Sequence, residues 1–314
     1  MAKRTDFTFL SSNGHSNVHA VKWLPEDGQY CAIVQISHGM VEYIDRYEEF
    51  AKYLTSQGFM VVGQDFVGHG RSVKSPEEFG YFGTKHPSDV LVKDIHKLRE
   101  MIQKENPQMP YFMLAHSMGS YMLRKYLGRY SKNLSGAVIV GTGGIYSWQA
   151  MICLAVTKLL ICFKGDRYRS RLVEQLTYTA PYRKYDLTGE NIENSWLSKD
   201  VENVREYYSK EECKFLFTLN AYQGLFEAVY YDGIFRNVQK ISKDLPILFL
   251  SGKDDPVGDF GKGVVRVYRM YRRAGIRNVK CVLYPNDRHE VLNETDKRKV
   301  YKRISAWLKE CAKA

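Results

Sequence analysis

Between Tyr111 and Tyr130 the chain reads YFMLAHSMGSYMLRKYLGRY, and this stretch limits the fold more than any other. It opens with Tyr111-Phe112-Met113-Leu114-Ala115, an apolar run of the length of a buried strand. It closes with Met122, Leu123, Tyr126 and Leu127, spaced for one face of a helix. Almost nothing is left between them for a turn. Ser117 sits there, with Ala115 two residues before it and Gly119 two after. A strand that reverses into a helix this sharply forces its apex residue into a strained conformation and leaves that side chain exposed above the sheet. Small neighbours relieve the crowding. At Ala115 one methyl stands where the pattern G-x-S-x-G has a hydrogen. Alone, the motif also fits a strand-to-helix turn that merely contains a serine; the remaining chain decides between the two.

The sequence on either side alternates short apolar runs with helical patterns. Residues 6–12 and 17–24 alternate as strands around an Asn13-Gly14 hairpin signal. Cys31 to Ile36 and Phe59 to Gly63 read as strands covered on both faces. Between them Tyr47, Phe50, Ala51 and Leu54 follow helical spacing, ended by Gly58. Ser88-Asp89 can cap a helix carrying Leu91, Ile95, Leu98 and Ile102, and Gly136 to Val140 is a further strand. This rhythm predicts βαβ units and a mostly parallel sheet. It stops after Gly144. Residues 145 to about 232 hold no convincing buried strand; they contain an apolar stretch, Trp148 to Phe163, broken by Gln149, Thr157 and Lys158. This is read as a mostly helical insertion. The rhythm resumes with strand Pro246 to Leu250, a helix carrying Val264, Val265, Tyr268 and Tyr271, strand Val279 to Tyr284, and a last helix starting near Asn293.

A serine hydroxyl near neutral pH needs a base to take its proton and a third group to fix that base. In open α/β sheets reactive groups gather at the carboxyl ends of strands. Strand 246–250 is followed by Ser251-Gly252-Lys253-Asp254-Asp255-Pro256, and strand 279–284 by Pro285-Asn286-Asp287-Arg288-His289-Glu290. Ser117, then an Asp, then His289 is the order expected of an α/β-hydrolase. Of the other histidines, His15 and His19 lie in the hairpin, His86 and His96 in or near a surface helix, and His38 and His69 after early strands. His116 adjoins the serine, so its side chain is expected to point elsewhere. Asp254, Asp255 and Asp259 are all candidate acids. Asp255 is preferred because Pro256 holds it extended at the strand exit; Asp259 reads as a helix cap. An oxyanion would need backbone N–H donors, and Met118 and Met40 are placed to supply them.

The segments HGMVEYIDRYEEFA, DFVGHGRS, AHSMGS, SGKDDPVGD and YPNDRHEVLNE resemble the monoacylglycerol lipase and lysophospholipase branch of the α/β-hydrolases, the serine aminopeptidase-type hydrolases. The PVGDFGKGV continuation resembles bacterial members. The resemblance implies an eight-stranded, mostly parallel sheet with a helical cap inserted after the sixth strand. The core would be residues 1–144 and 233–314, the cap residues 145–232. It implies catalysis by Ser117, Asp255 and His289 and oxyanion donors at Met40 and Met118. His38, Gly39, Tyr222 and Phe226 would contact a small ester or monoacyl lipid. Trp148 to Phe163 would face lipid and touch a membrane without crossing it. An aminopeptidase or amidase would instead need a cap carboxylate for the substrate amine, for which Glu190, Glu193 and Glu202 are candidates. A binding protein retaining the fold would have no need of all three catalytic groups.

Composition narrows the rest. No stretch reaches 18 uninterrupted apolar residues, so no spanning helix is predicted, and the N-terminus has no apolar core of a secretory signal. The six cysteines (31, 153, 162, 213, 281, 311) form no C-x-x-C pair, which predicts reduced thiols, a cytoplasmic protein and no zinc site. No metal or nucleotide motif appears, so no cofactor is expected. From Lys240 onward 18 Lys and Arg face 9 Asp and Glu, so +9 of the net +11 lies there. Such an excess suits a solvated basic face, an anionic surface or an acidic ligand; nucleic acid is not expected as a partner.

Overall fold

The computed structural model describes residues 2–83, 85–178 and 180–313. Its centre is one eight-stranded sheet in the order β1-β2-β4-β3-β5-β6-β7-β8. The hairpin β1 (Lys3–Leu10) and β2 (Asn17–Leu24) forms one edge and joins β4 antiparallel. The remaining strands run parallel: β3 (Ala32–Ser37), β4 (Phe59–Gln64), β5 (Tyr111–His116), β6 (Gly136–Val140), β7 (Ile247–Gly252) and β8 (Val279–Tyr284). Every residue of β3 through β7 is buried. That is why these strands read as continuous apolar runs rather than alternating ones.

Alternate residues feed two cores. Val34, Ile36, Phe112 and Leu114 pack under α1 (Glu48–Ser56) and α10 (Lys297–Ala312), whose Ile304, Trp307 and Leu308 are buried. Ile33, Met113, Ala115 and Ile139 pack on the other face with α2 (Pro87–Glu105) and α3 (Met118–Tyr130). Between β6 and β7 the chain runs through α4 (Ser147–Lys164), α5 (Arg171–Thr177), α6 (Val201–Ser209), α7 (Leu219–Asp232) and α8 (Phe235–Val238). Helix α9 (Lys262–Arg273) then connects β7 to β8.

Helix α4 covers the apolar stretch expected to be helical but, unlike the expectation, has the length and composition of a spanning segment. Gln149, Thr157 and Lys158 do not interrupt it: it is one 18-residue helix of mean hydropathy 1.3, long and apolar enough by length and composition to cross a membrane. Only 11% of it is buried. Ala150 and Thr157 face inward, and Trp148, Met151, Ile152, Leu159 and Phe163 are exposed, Phe163 at 77%. Tyr146, Leu172 and Leu176 extend this apolar surface.

Candidate active site

Ser117 occupies the turn between β5 and α3 at φ 50, ψ −121, a region that non-glycine residues enter only at a cost. Its N–H is tied to the Val140 carbonyl at 3.0 Å, and its own carbonyl accepts from Ser120 N–H at 2.9 Å. The motif's small positions have separate reasons. A Cβ on Gly119 would lie 2.3 Å from the His38 carbonyl oxygen and 2.5 Å from that of Ser37. The helix therefore touches the neighbouring strand end through glycine. Ala115 is buried in the sheet between Ser37 and Ile139, where its methyl fits the layer.

The loops that follow β7 and β8 are locked together. A Cβ on Gly252 would meet the Asp287 carbonyl at 2.0 Å, and Asp254 N–H donates to that same oxygen at 2.9 Å. This contact brings Asp255 to His289. Asp255 Oδ1 accepts from His289 Nδ1 at 3.1 Å and from Val257 N–H at 2.9 Å, and its Oδ2 accepts from Ser251 at 3.1 Å. Both residues are buried. With Nδ1–H committed to Asp255, the proton-free nitrogen of a neutral His289 is Nε2, which has no hydrogen-bond partner among the described residues. Ser117 and His289 line the same cavity without bonding to each other. Serine–base contacts of this type tighten when substrate binds.

Asp254 is held apart: its carbonyl accepts from Tyr185 Oη at 2.8 Å. Asp259 is not the helix cap its position suggested. It lies at φ 49, and Gly261 in the left-handed region precedes α9.

The cavity measures about 1360 Å³ and is lined by Met40, Ser117, Met118, Tyr121, Tyr222, Phe226 and His289, among others. The backbone N–H groups of Met40 and Met118 have no acceptor among the described residues. His38 and Gly39 do not line it. His38 is fully buried behind it, accepting Phe66 N–H at Nε2 (2.9 Å) and donating from Nδ1 to the Gly39 carbonyl (2.8 Å). A Cβ on Gly39 would lie 3.0 Å from Ser117 Cβ, so the loop passes the serine through glycine, and Met40, Val41 and Glu42 are its residues that reach the cavity. Tyr222 and Phe226 serve both core and cavity, their rings stacked 6.1 Å apart. Glu202 is paired with Arg205 on the surface, Glu193 is exposed, and Glu190 lies exposed at the cavity rim.

A buried ionic network, absent from the sequence reading, runs beneath the site. Glu42 accepts from Gly39 N–H, from Tyr47 Oη at 2.9 Å and from His116 Nδ1 at 3.0 Å through one oxygen, and from Arg46 at 3.0 Å through the other. Arg46 reaches on to both oxygens of Glu290, beside His289, at 2.6 and 2.8 Å. Asn203 of α6 joins the same pair, accepting from Arg46 at 3.1 Å and donating to Glu290 at 2.8 Å. His116, directed into this network, has only acceptors at its ring nitrogens, Glu42 and the His289 carbonyl at 3.3 Å, an arrangement that favours the imidazolium. Burial works against that charge, but the Glu42 carboxylate outweighs it and raises His116. Burial likewise opposes the Glu42 charge, yet His116 and Arg46 hold it well below the usual carboxylate range. One sequence signal existed: Glu42 and Arg46 stand four apart, the spacing of partners on a helix.

His69 has the opposite state. It accepts Val41 N–H at Nε2 (3.3 Å), and burial first, then His38, pushes it down to about 3. A neutral ring thereby pins Val41, which sits at φ 56, directly after Met40.

A family model described as "Serine aminopeptidase, S33" matches residues 28–296. A monoacylglycerol lipase of Mycolicibacterium smegmatis is 25% identical over 310 residues, 97% of each chain. Among solved structures, a highly thermostable carboxyl esterase from Bacillus coagulans, in complex with glycerol, superposes with a TM-score of 0.90 at 29% identity over 99% of both chains. A soluble variant of the monoglyceride lipase from Saccharomyces cerevisiae shares the fold, with a TM-score of 0.78 at 20% identity, covering 99% of this chain and 96% of its own.

Proposed function

The chain belongs to the serine aminopeptidase S33 family of α/β-hydrolases, in its monoacylglycerol lipase and lysophospholipase-like branch, and on that premise we propose that it hydrolyses carboxylic esters of monoacyl lipids through an acyl-enzyme. The observation that carries this reading is the Asp255–His289 bond, which leaves His289 Nε2 unpartnered in the cavity that Ser117 lines. Ser117 Oγ attacks the ester carbonyl carbon while His289 Nε2 takes its proton. The Met40 and Met118 N–H groups receive the oxyanion. The C–O bond to the alcohol breaks, and His289 returns the proton to the departing oxygen. Water, deprotonated by His289 in turn, cleaves the acyl-serine and frees the fatty acid. Asp255 keeps the imidazole oriented and stabilises its positive charge.

Residues 145–232 act in this reading as a cap on a core of residues 1–144 and 233–314. Tyr222, Phe226, Ala150 and Cys153 supply apolar cavity lining for the acyl chain. We expect kcat/KM for 1-octanoylglycerol to exceed that for a prolyl amide by at least about a hundredfold. Preference for the amide would replace this reading with the aminopeptidase one.

The exposed side of α4 fits a lipid surface. Its opposite side packs on the core through Leu154, Leu160 and Ile161, contacts that a spanning helix would give up. The helix therefore lies along the interface. Replacing Trp148 and Phe163 together by Ser is expected to weaken sedimentation with phosphatidylcholine vesicles about tenfold or more, at roughly 1.5–3 kcal/mol of burial per large side chain. Equal sedimentation of both proteins would remove the membrane contact.

A further inference from the structure

We propose that Arg266 forms an anion subsite in the cavity and that the substrate carries an ionised phosphate on the alcohol that leaves. The inference rests on the ester-hydrolase reading and names the substrate class within it. Arg266 lies in α9 and lines the same cavity as Ser117 and His289. Its side chain is half-buried, fixed by donation to the Gly144 carbonyl and by the Tyr146 ring 4.3 Å away. Two holds of this kind position a guanidinium without neutralising it. Among the described residues no carboxylate lies within ion-pair distance of it, although Asp259 borders the same cavity.

Other cations at this cavity are differently placed. Lys214 is paired with Glu211 at 3.7 Å, and Arg171 is exposed on the helix that adds Leu172 and Leu176 to the apolar surface. A partly desolvated guanidinium with free donors and no counter-charge is built to take an oxyanion in its fork.

Position gives the anion its place in the substrate. The segment Gly141–Gly144 begins against the imidazole: a Cβ on Gly141 would lie 3.1 Å from His289 Cε1. The same segment ends at the carbonyl that holds Arg266. Three residues of chain span at most about 11 Å. The guanidinium is thus tethered through one short segment to the loop that packs on His289, whereas α7 supplies the aromatic lining from Tyr222 and Phe226. A glycerol phosphate leaving group would place its charge where Arg266 waits.

The test compares 1-octanoyl-lysophosphatidic acid with 1-octanoylglycerol, both below their micellar concentrations, after hydrolysis of p-nitrophenyl butyrate has been established. The wild type should favour the phosphate ester in kcat/KM by about tenfold or more. Arg266→Gln should bring that ratio close to one, and Arg266→Lys should restore part of it. A merely structural loss, from releasing Gly144 and Tyr146, would lower both substrates together and leave the ratio standing, which would overturn the proposal. A second reading needs no variant: glycerol 3-phosphate should inhibit wild-type turnover of p-nitrophenyl butyrate at concentrations at least tenfold below those of glycerol. Equal inhibition by the two would also overturn the subsite. Failure to hydrolyse p-nitrophenyl butyrate at all would instead sink the hydrolase reading on which it rests.

Discussion

Ser117→Ala is expected to lower kcat for p-nitrophenyl butyrate by a factor on the order of 10⁴ to 10⁶, with circular dichroism and Tm close to those of the wild type. The hydroxyl makes no hydrogen bond among the described residues, and the turn is held by backbone contacts from Val140 and Ser120, so little folding energy departs with it. The backbone supplies an internal control. At φ 50, ψ −121 an L side chain costs about 1–3 kcal/mol, a cost that glycine does not bear. Ser117→Gly should therefore be as inactive as Ser117→Ala but more stable, with a higher midpoint in urea. Retention of more than about 1% of turnover in either variant would refute Ser117 as the nucleophile. A Gly variant no more stable than the Ala variant would refute the strain.

Glu42→Ala should be the most damaging substitution away from the reacting atoms. It removes the acceptor shared by Gly39 N–H, Tyr47, His116 and Arg46 and strands buried positive charge. Breaking a buried pair from one side costs about 3–5 kcal/mol. Gly39 precedes the Met40 donor, so the oxyanion loop should loosen as well, and loss of one such donor lowers kcat on the order of 10²–10³-fold. Glu42→Gln keeps the shape and should recover much of the stability but little of the rate. The network also sets a pH window. Glu42, depressed in the folded state, contributes stability above its ordinary 4.5 and loses it as pH falls through the depressed value. His116, raised in the folded state, contributes below its ordinary 6.5 and loses it as pH rises through the raised value. Urea midpoints across pH should show both shoulders in the wild type and lose them in Glu42→Gln. Identical profiles would place the titration elsewhere.

The centre of the sheet was legible in the sequence because strands β3 to β7 are buried on both faces and so read as short continuous apolar runs. Ser117, Asp255 and His289 each follow a strand, so topology alone brings them to the rim where the proposed chemistry needs them. Other features depend on contacts that no local pattern encodes. Glu42 and Glu290 carry no local signal of burial, yet both are buried. The last helix starts at Lys297, not near Asn293, because Glu294 is spent elsewhere. Its oxygens accept from Arg288 N–H at 2.7 Å, Ser198 Oγ at 2.8 Å and Lys199 N–H at 3.0 Å, bracing the base loop against the segment before α6. Helix α4 escaped the spanning-segment criterion because three polar residues break its apolar run, although its backbone never breaks.

His116 and His289 touch ring to ring at 4.6 Å although 173 residues of chain separate them. A ribosome adding about 5–20 residues per second needs roughly 10–35 s to cover that interval. Throughout it the emerging polypeptide carries the elbow serine without His289. On the proposed mechanism, ester-cleaving capacity arrives in a single late step, when the final two strands zip onto the edge of the growing sheet, and a product cut short before that point is expected to be chemically silent.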